Sequence, residues 1–157
     1  MCKKYSKEEI ENRIDIAVDM LKCKDLFLLQ KDVNERGITH KLAEYLQQQF
    51  PEYNVDCEYN RMKNQKMDDK YITKKLNLPI VDLRSNDTTA KTVYPDIIIH
   101  KRGTENNLVV IEIKKKLSDE DKKYDINKLE AFKKQLGYKN SLFIEFDNKG
   151  NFEKKWI

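Results

Sequence analysis

Tyr94-Pro95-Asp96-Ile97-Ile98-Ile99-His100 and, after a seven-residue link containing Gly103 and Asn106-Asn107, Leu108-Val109-Val110-Ile111-Glu112-Ile113-Lys114 form the stretch whose reading decides the fold. Both runs are rich in β-branched residues and the link carries turn formers, so together they predict a β-hairpin with a longish loop. Apolar residues fall on both faces of the two strands, which puts the hairpin in the middle of a covered sheet. Charged residues are rare in such strands, yet this hairpin holds Asp96, Glu112 and Lys114. Symmetric pairing about Thr104 sets His100 opposite Leu108 and Asp96 opposite Glu112, with the two carboxylates roughly 5 Å apart at Cβ. Glu112 and Lys114 are two residues apart and share a face, separated by roughly 7 Å along the strand.

Outward towards the N-terminus, Ile10, Ile14, Ala17, Val18 and Leu21 recur at helical spacing behind a Ser6-x-x-Glu9 capping box, predicting an amphipathic helix from Lys7 to about Leu21. The run Leu26 to Leu29 either extends it or starts a new turn. A second helix is expected from an N-cap at Asp32 through Ile38, Leu42, Tyr45, Leu46 and Phe50, stopped by Pro51. Val55 to Tyr59 alternates as a strand, and residues 61–93 form a long polar insertion rich in Lys, Asp and Asn. Beyond the hairpin, Ile126, Leu129, Phe132 and Leu136 mark a helix ended by Gly137, and Leu142 to Phe146 a last strand. The expected architecture is a single α/β domain over 1–157, with a helical extension over 1–31 and a core over 32–147 that contains the insertion.

Of the 157 residues, 37% are charged, against about 25% in an average domain, and 4 Gly and 3 Pro leave no room for collagen-like or linker-type composition. No apolar run approaches the roughly 18 residues that cross a bilayer, and no apolar stretch follows the N-terminal lysines as in a secretory signal, so a cytoplasmic, membrane-free protein is expected. Cys2, Cys23 and Cys57 form neither a CxxC pair nor a disulfide framework. The net charge of +4 does not itself mark a nucleic-acid binder.

Two adjacent carboxylates repel and raise each other's pKa, a cost that a hard divalent cation removes by taking oxygens from both, so Asp96 and Glu112 read as a Mg²⁺ or Mn²⁺ site. A lysine beside such an ion can position or deprotonate water, or balance phosphate charge, which suits phosphodiester hydrolysis. A surface carboxylate pair bridged by Lys114 fits the same pattern and stays open at this level. Glu35 shares the apolar sector of its helix with Ile38, Leu42 and Leu46, so it either leans towards the hairpin carboxylates or closes a capping box with Asp32. His40 falls on the opposite, exposed side.

Tyr94-Pro95-Asp96, followed sixteen positions on by Glu112-Ile113-Lys114, with Glu35 on the preceding helix and the order α-β-β-β-α-β, resembles the PD-(D/E)xK nuclease superfamily. The likeness extends over residues 32–147, and Val55 to Arg61 and Pro95 to Arg102 are similar to small bacterial members. The resemblance implies a restriction-endonuclease-like core with a central mixed four-stranded sheet flanked by helices, preceded here by an extra N-terminal helix. It further implies a Mg²⁺-dependent nuclease, an endonuclease on DNA. Asp96 and Glu112 would be metal ligands, Glu35 an accessory acid at the metal and Lys114 the catalytic lysine.

Lys115 and Lys116 beside the site, and Lys128 and Lys133 on the following helix, are the candidates for phosphate contact, and the basic insertion could also touch a backbone. A non-catalytic nucleic-acid-binding or regulatory module that keeps the fold is the alternative. A homodimer would supply the second site that a double-strand break needs. The apolar stripe Ile10, Ile14, Ala17, Val18 and Leu21 either forms its interface or packs back on its own domain.

Overall fold

The computed structural model describes residues 4–30, 34–59, 61–63, 71–73, 94–115 and 119–157. In chain order these form α1 (Lys7–Gln30), α2 (Glu35–Gln49), β1 (Asn54–Cys57), β2 (Arg61–Lys63), β3 (Tyr71–Thr73), β4 (Ile97–His100), β5 (Asn107–Lys115), α3 (Asp119–Leu136), β6 (Asn140–Phe146) and β7 (Phe152–Trp156). The class is α/β: the described residues give three helices and a five-stranded mixed open sheet in the order β1-β4-β5-β6-β7, with β2 and β3 as a separate antiparallel pair. Only β5 and β6 run parallel, joined through α3. The predicted hairpin, β4 and β5, lies inside the sheet with β1 and β6 as its neighbours.

Odd-numbered hairpin residues Ile97, Ile99, Val109, Ile111 and Ile113 join the core under α1 and α2, whereas Ile98 and Val110 join a second cluster with Leu129, Phe132, Tyr138 and Phe143 under α3. The register pairs Ile97 with Ile111, Ile98 with Val110 and Ile99 with Val109, as symmetric pairing requires, and continuing it sets Asp96 opposite Glu112. The pairing then slips: a bulge between Ile99 and His100 sets His100 against Asn107, not Leu108. The bulge accompanies a polar knot at the far end of β4. The buried His100 ring meets Asp56 Oδ2 through Nε2 at 2.8 Å, and Arg102 donates to both oxygens of the same carboxylate. The Tyr59 ring lies against the imidazole with centroids 4.9 Å apart.

The structure departs from expectation at further points and decides readings left open. The sheet has five strands where four were expected, because Phe152–Trp156 alternates inward and outward with a lysine on its inner side. Lys154 can face inward because Glu11 and Asp15 of α1 receive its ammonium. Helix α2 starts two residues later than expected: Asn34 is the N-cap, accepting from the Arg36 amide at 3.0 Å, so Glu35 is the first helical residue and closes no capping box. Asp32 lies outside the described residues. Helix α3 starts at Asp119, before any apolar periodicity is visible. The stripe of α1 is not a surface for a second copy: Ile10 is 2% exposed and Ile14, Ala17, Val18 and Leu21 are 0% exposed, packed into the core.

The Leu26 to Leu29 run continues α1 past a bend at Asp25, whose backbone is non-helical (φ −128°, ψ 31°) and whose carboxylate accepts from the Tyr45 hydroxyl. Cys23 and Cys57 carry no disulfide. Among the described residues no helix is long and apolar enough to cross a membrane.

The turn from α3 into β6 depends on Gly137, which has φ +67° beyond the last helical residue. A Cβ there would meet nothing within 4 Å, so only backbone strain opposes a side chain. Gly137→Ala should therefore cost about 1 kcal/mol in denaturant unfolding. A larger loss would mean that the turn has a further role.

Candidate active site

Asp96 precedes β4 by one residue, and its Oδ2 accepts a hydrogen bond from the Ile113 amide at 2.8 Å, fixing the carboxylate beside Glu112 across the hairpin. Lys114 lies two residues beyond Glu112, on the face covered by α3. Glu35, brought in by the first turn of α2, places Oε2 at 3.3 Å from Lys114 Nζ. Helix α3 adds two groups, three residues apart: Asp125 Oδ2 at 3.9 Å from Lys114 Nζ, and Lys128 Nζ at 2.9 Å from Glu112 Oε1. Lys122 of the same helix pairs with Glu145 at 2.9 Å. The N-terminal half of α3 thus meets the sheet through ion pairs, and its C-terminal half through Leu129 and Phe132.

The electrostatics follow from burial. Glu112 is 1% exposed, and its pKa is pushed up to about 8, first by desolvation and further by the charges of Asp96 and Asp125, with Lys128 pulling the other way. Desolvation is also the largest influence on Lys114 and lowers its pKa, but the carboxylates of Asp125, Glu35, Asp96 and Glu112 outweigh it and hold the ammonium above its ordinary value. Lys128 is likewise held up, against its own burial, chiefly by Glu112.

The structure thus brings together Glu35, Asp96, Glu112 and Lys114. Glu35 pairs with the Lys114 ammonium at 3.3 Å. Among the described residues there is no ready-made group of three or more His, Cys, Asp or Glu donors for a metal ion. The Asp96–Glu112 pair nevertheless fits a hard cation. Among the described residues Glu112 Oε1 is buried with no aligned hydrogen-bond donor, and the Lys128 ammonium stands against it at 2.9 Å.

Lys128 differs from its expected position at the phosphate-contacting surface: it is 8% exposed and tied to Glu112. Lys115 is half-buried at the end of β5, Lys133 is exposed with Nζ 2.7 Å from the backbone oxygen of Ile157, and Lys116 lies outside the described residues. The basic insertion also lies outside them, apart from β2 and β3.

The residues missed from sequence were Asp125 and Lys128 as members of the cluster. At 100° per residue both fall on the arc that carries Leu129 and Phe132, so charged groups on an apolar sector were the available signal.

Fold and site together define an α/β protein with a carboxylate and lysine cluster at one end of its central hairpin. Compared with protein-family models, curated proteins and solved structures, the chain matches none.

Proposed function

We propose that the chain is a metal-dependent nuclease that hydrolyses phosphodiester bonds, an endonuclease on DNA, with a restriction-endonuclease-like core of PD-(D/E)xK type. The observation that carries this reading is the juxtaposition of Asp96 and Glu112 across the central hairpin, with Lys114 on the same face and Glu35 against it. The succession α2, β1, β4, β5, α3, β6 supports it, being the α-β-β-β-α-β order of such a core.

Asp96 and Glu112 would hold a Mg²⁺ or Mn²⁺ ion, which when bound supplies Lewis acidity and lowers the pKa of water for attack on phosphorus. Lys114, kept charged by four carboxylates, balances the negative charge that grows on the phosphate. Glu35 acts through Lys114, steering its ammonium. Lys115, Lys116 and Lys133 are the groups for contact with the phosphate backbone, and a second copy of the chain would serve a double-strand break through a surface other than the buried α1 stripe.

Supercoiled, linear, branched and single-stranded DNA and RNA incubated with Mn²⁺, against EDTA and an Asp96→Ala blank, test the reading. Metal-dependent cleavage that the blank lacks supports it; none on any substrate overturns it. Lys114→Met should keep metal affinity within about threefold and lower turnover by roughly 10²- to 10⁴-fold, the range of a positioned proton-transfer or charge-balancing group. Collapse of metal affinity in calorimetry would make Lys114 a structural tie.

A non-catalytic module is the second reading, favoured by the closed Lys128–Glu112 ion pair. It predicts no Mn²⁺ binding that Asp96→Ala removes.

A further inference from the structure

We propose that Lys128 is an internal stand-in cation: its ammonium neutralises Glu112 in the metal-free protein and must leave that carboxylate when a divalent ion binds, so the ion pair sets the threshold for metal loading. The proposal rests on the metal-site reading above and adds a group to it.

Among the described residues the cluster holds more carboxylates than lysines. Glu35, Asp96, Glu112 and Asp125 all act on Lys114, and three of them act on Lys128, so four carboxylates face two ammonium groups. Burial makes the imbalance costly, because ionised groups out of water need a partner close by.

The two lysines are not held alike. Lys114 stands between Glu35 of α2 and Asp125 of α3, whose carboxylates approach it from two elements at 3.3 and 3.9 Å. Among the described residues Lys128 pairs with a single oxygen, Glu112 Oε1, at 2.9 Å. A cation shared with Asp96 would take oxygen from the same Glu112 carboxylate. An ammonium held against a ligand carboxylate repels a divalent ion brought to the same group, and the flexible four-carbon stem of a lysine lets its head withdraw without backbone movement. A receiving group is at hand: Asp125, one helical turn before Lys128, already acts on its charge.

Mn²⁺ binding to the substrate-free full chain, followed by calorimetry and by the electron paramagnetic resonance of free Mn²⁺, tests the assignment. Lys128→Met should tighten binding by about tenfold or more, since the competing charge is gone. Lys128→Arg should weaken it severalfold, because a guanidinium clamps a carboxylate through two donors and is harder to displace. A purely structural lysine would move both variants in the same direction or neither. Should Lys128→Met fail to fold, the wild type still answers: the side-chain ammonium resonance that is lost in Lys128→Arg should move towards the position of a free lysine as Mg²⁺ is added.

Unchanged or weaker Mn²⁺ binding in Lys128→Met, or an ammonium signal indifferent to saturating Mg²⁺, overturns the proposal. If Asp96→Asn binds Mn²⁺ as the wild type does, the ion is not at the hairpin and the underlying metal-site reading falls. If Asp96→Asn loses binding and Lys128→Met gains none, only the role of Lys128 falls. Absence of binding in every chain at millimolar Mn²⁺ removes both.

Discussion

Asp96→Asn should lower divalent-dependent strand cleavage by at least about 10³-fold while the protein remains folded. A metal ion contributes several kcal/mol of transition-state stabilisation, and each ~1.4 kcal/mol is a factor of ten in rate, so a lost ligand reaches this size. The fold should survive because asparagine keeps an oxygen for the Ile113 amide, which Asp96 now holds at 2.8 Å. The substitution also removes a negative charge that acts on the buried Glu112, so thermal unfolding in EDTA should show no loss of stability. Cleavage within tenfold of the wild type, with the unfolding transition intact, would remove Asp96 from the site and the nuclease reading with it.

Asp56→Ala should destabilise the protein by about 3 kcal/mol at neutral pH, because it strips the partner from a buried imidazole and from a guanidinium at once. His100 is 1% exposed and the Asp56 side chain 13%, so the loss falls on the buried imidazole, whereas Arg102 is 55% exposed and regains water. The pH dependence has a definite sign. Burial raises the pKa of Asp56, but Arg102 and His100 outweigh it and hold the carboxyl below its ordinary value. A carboxylate depressed on folding contributes stability above its unfolded pKa and loses it as pH falls through the folded value. Denaturant titrations should find the gap between wild type and variant closing below about pH 4, as Asp56 becomes protonated. A gap that persists undiminished well below about pH 4 would contradict this account.

The central hairpin was legible because two strong signals coincide there, β-branched runs and turn residues, and its register followed from symmetry. The single-residue bulge at His100 was not legible, since it answers to Asp56, a partner 44 residues away. Strand β7 was hidden for a similar reason: Lys154 reads as half of an exposed basic pair until Glu11 and Asp15 are known to lie above it. At the site, Asp96, Glu112 and Lys114 were within reach because a strand has a period of two and their positions are local. Lys128 was taken for a surface group, as a lysine on a helix usually is, and only the packing of α3 on the sheet puts it over Glu112.

The contact between α1 and β7 bears on how the chain is made as well as on how it is held. Trp156 donates to Glu11 at 3.2 Å across 145 residues of sequence, and the Lys154 ammonium reaches the same carboxylate at 3.4 Å. During synthesis α1 leaves the ribosome first, and Glu11 and Asp15 wait for a strand not yet translated. At about 5–20 residues per second, that wait lasts several seconds or more. Closing so long a loop comes after the local helices and the β4–β5 hairpin have formed, so docking of β7 is a late step of folding. Until then the carboxylates of Glu11 and Asp15 keep that side of α1 hydrated, which protects the nascent helix from premature association.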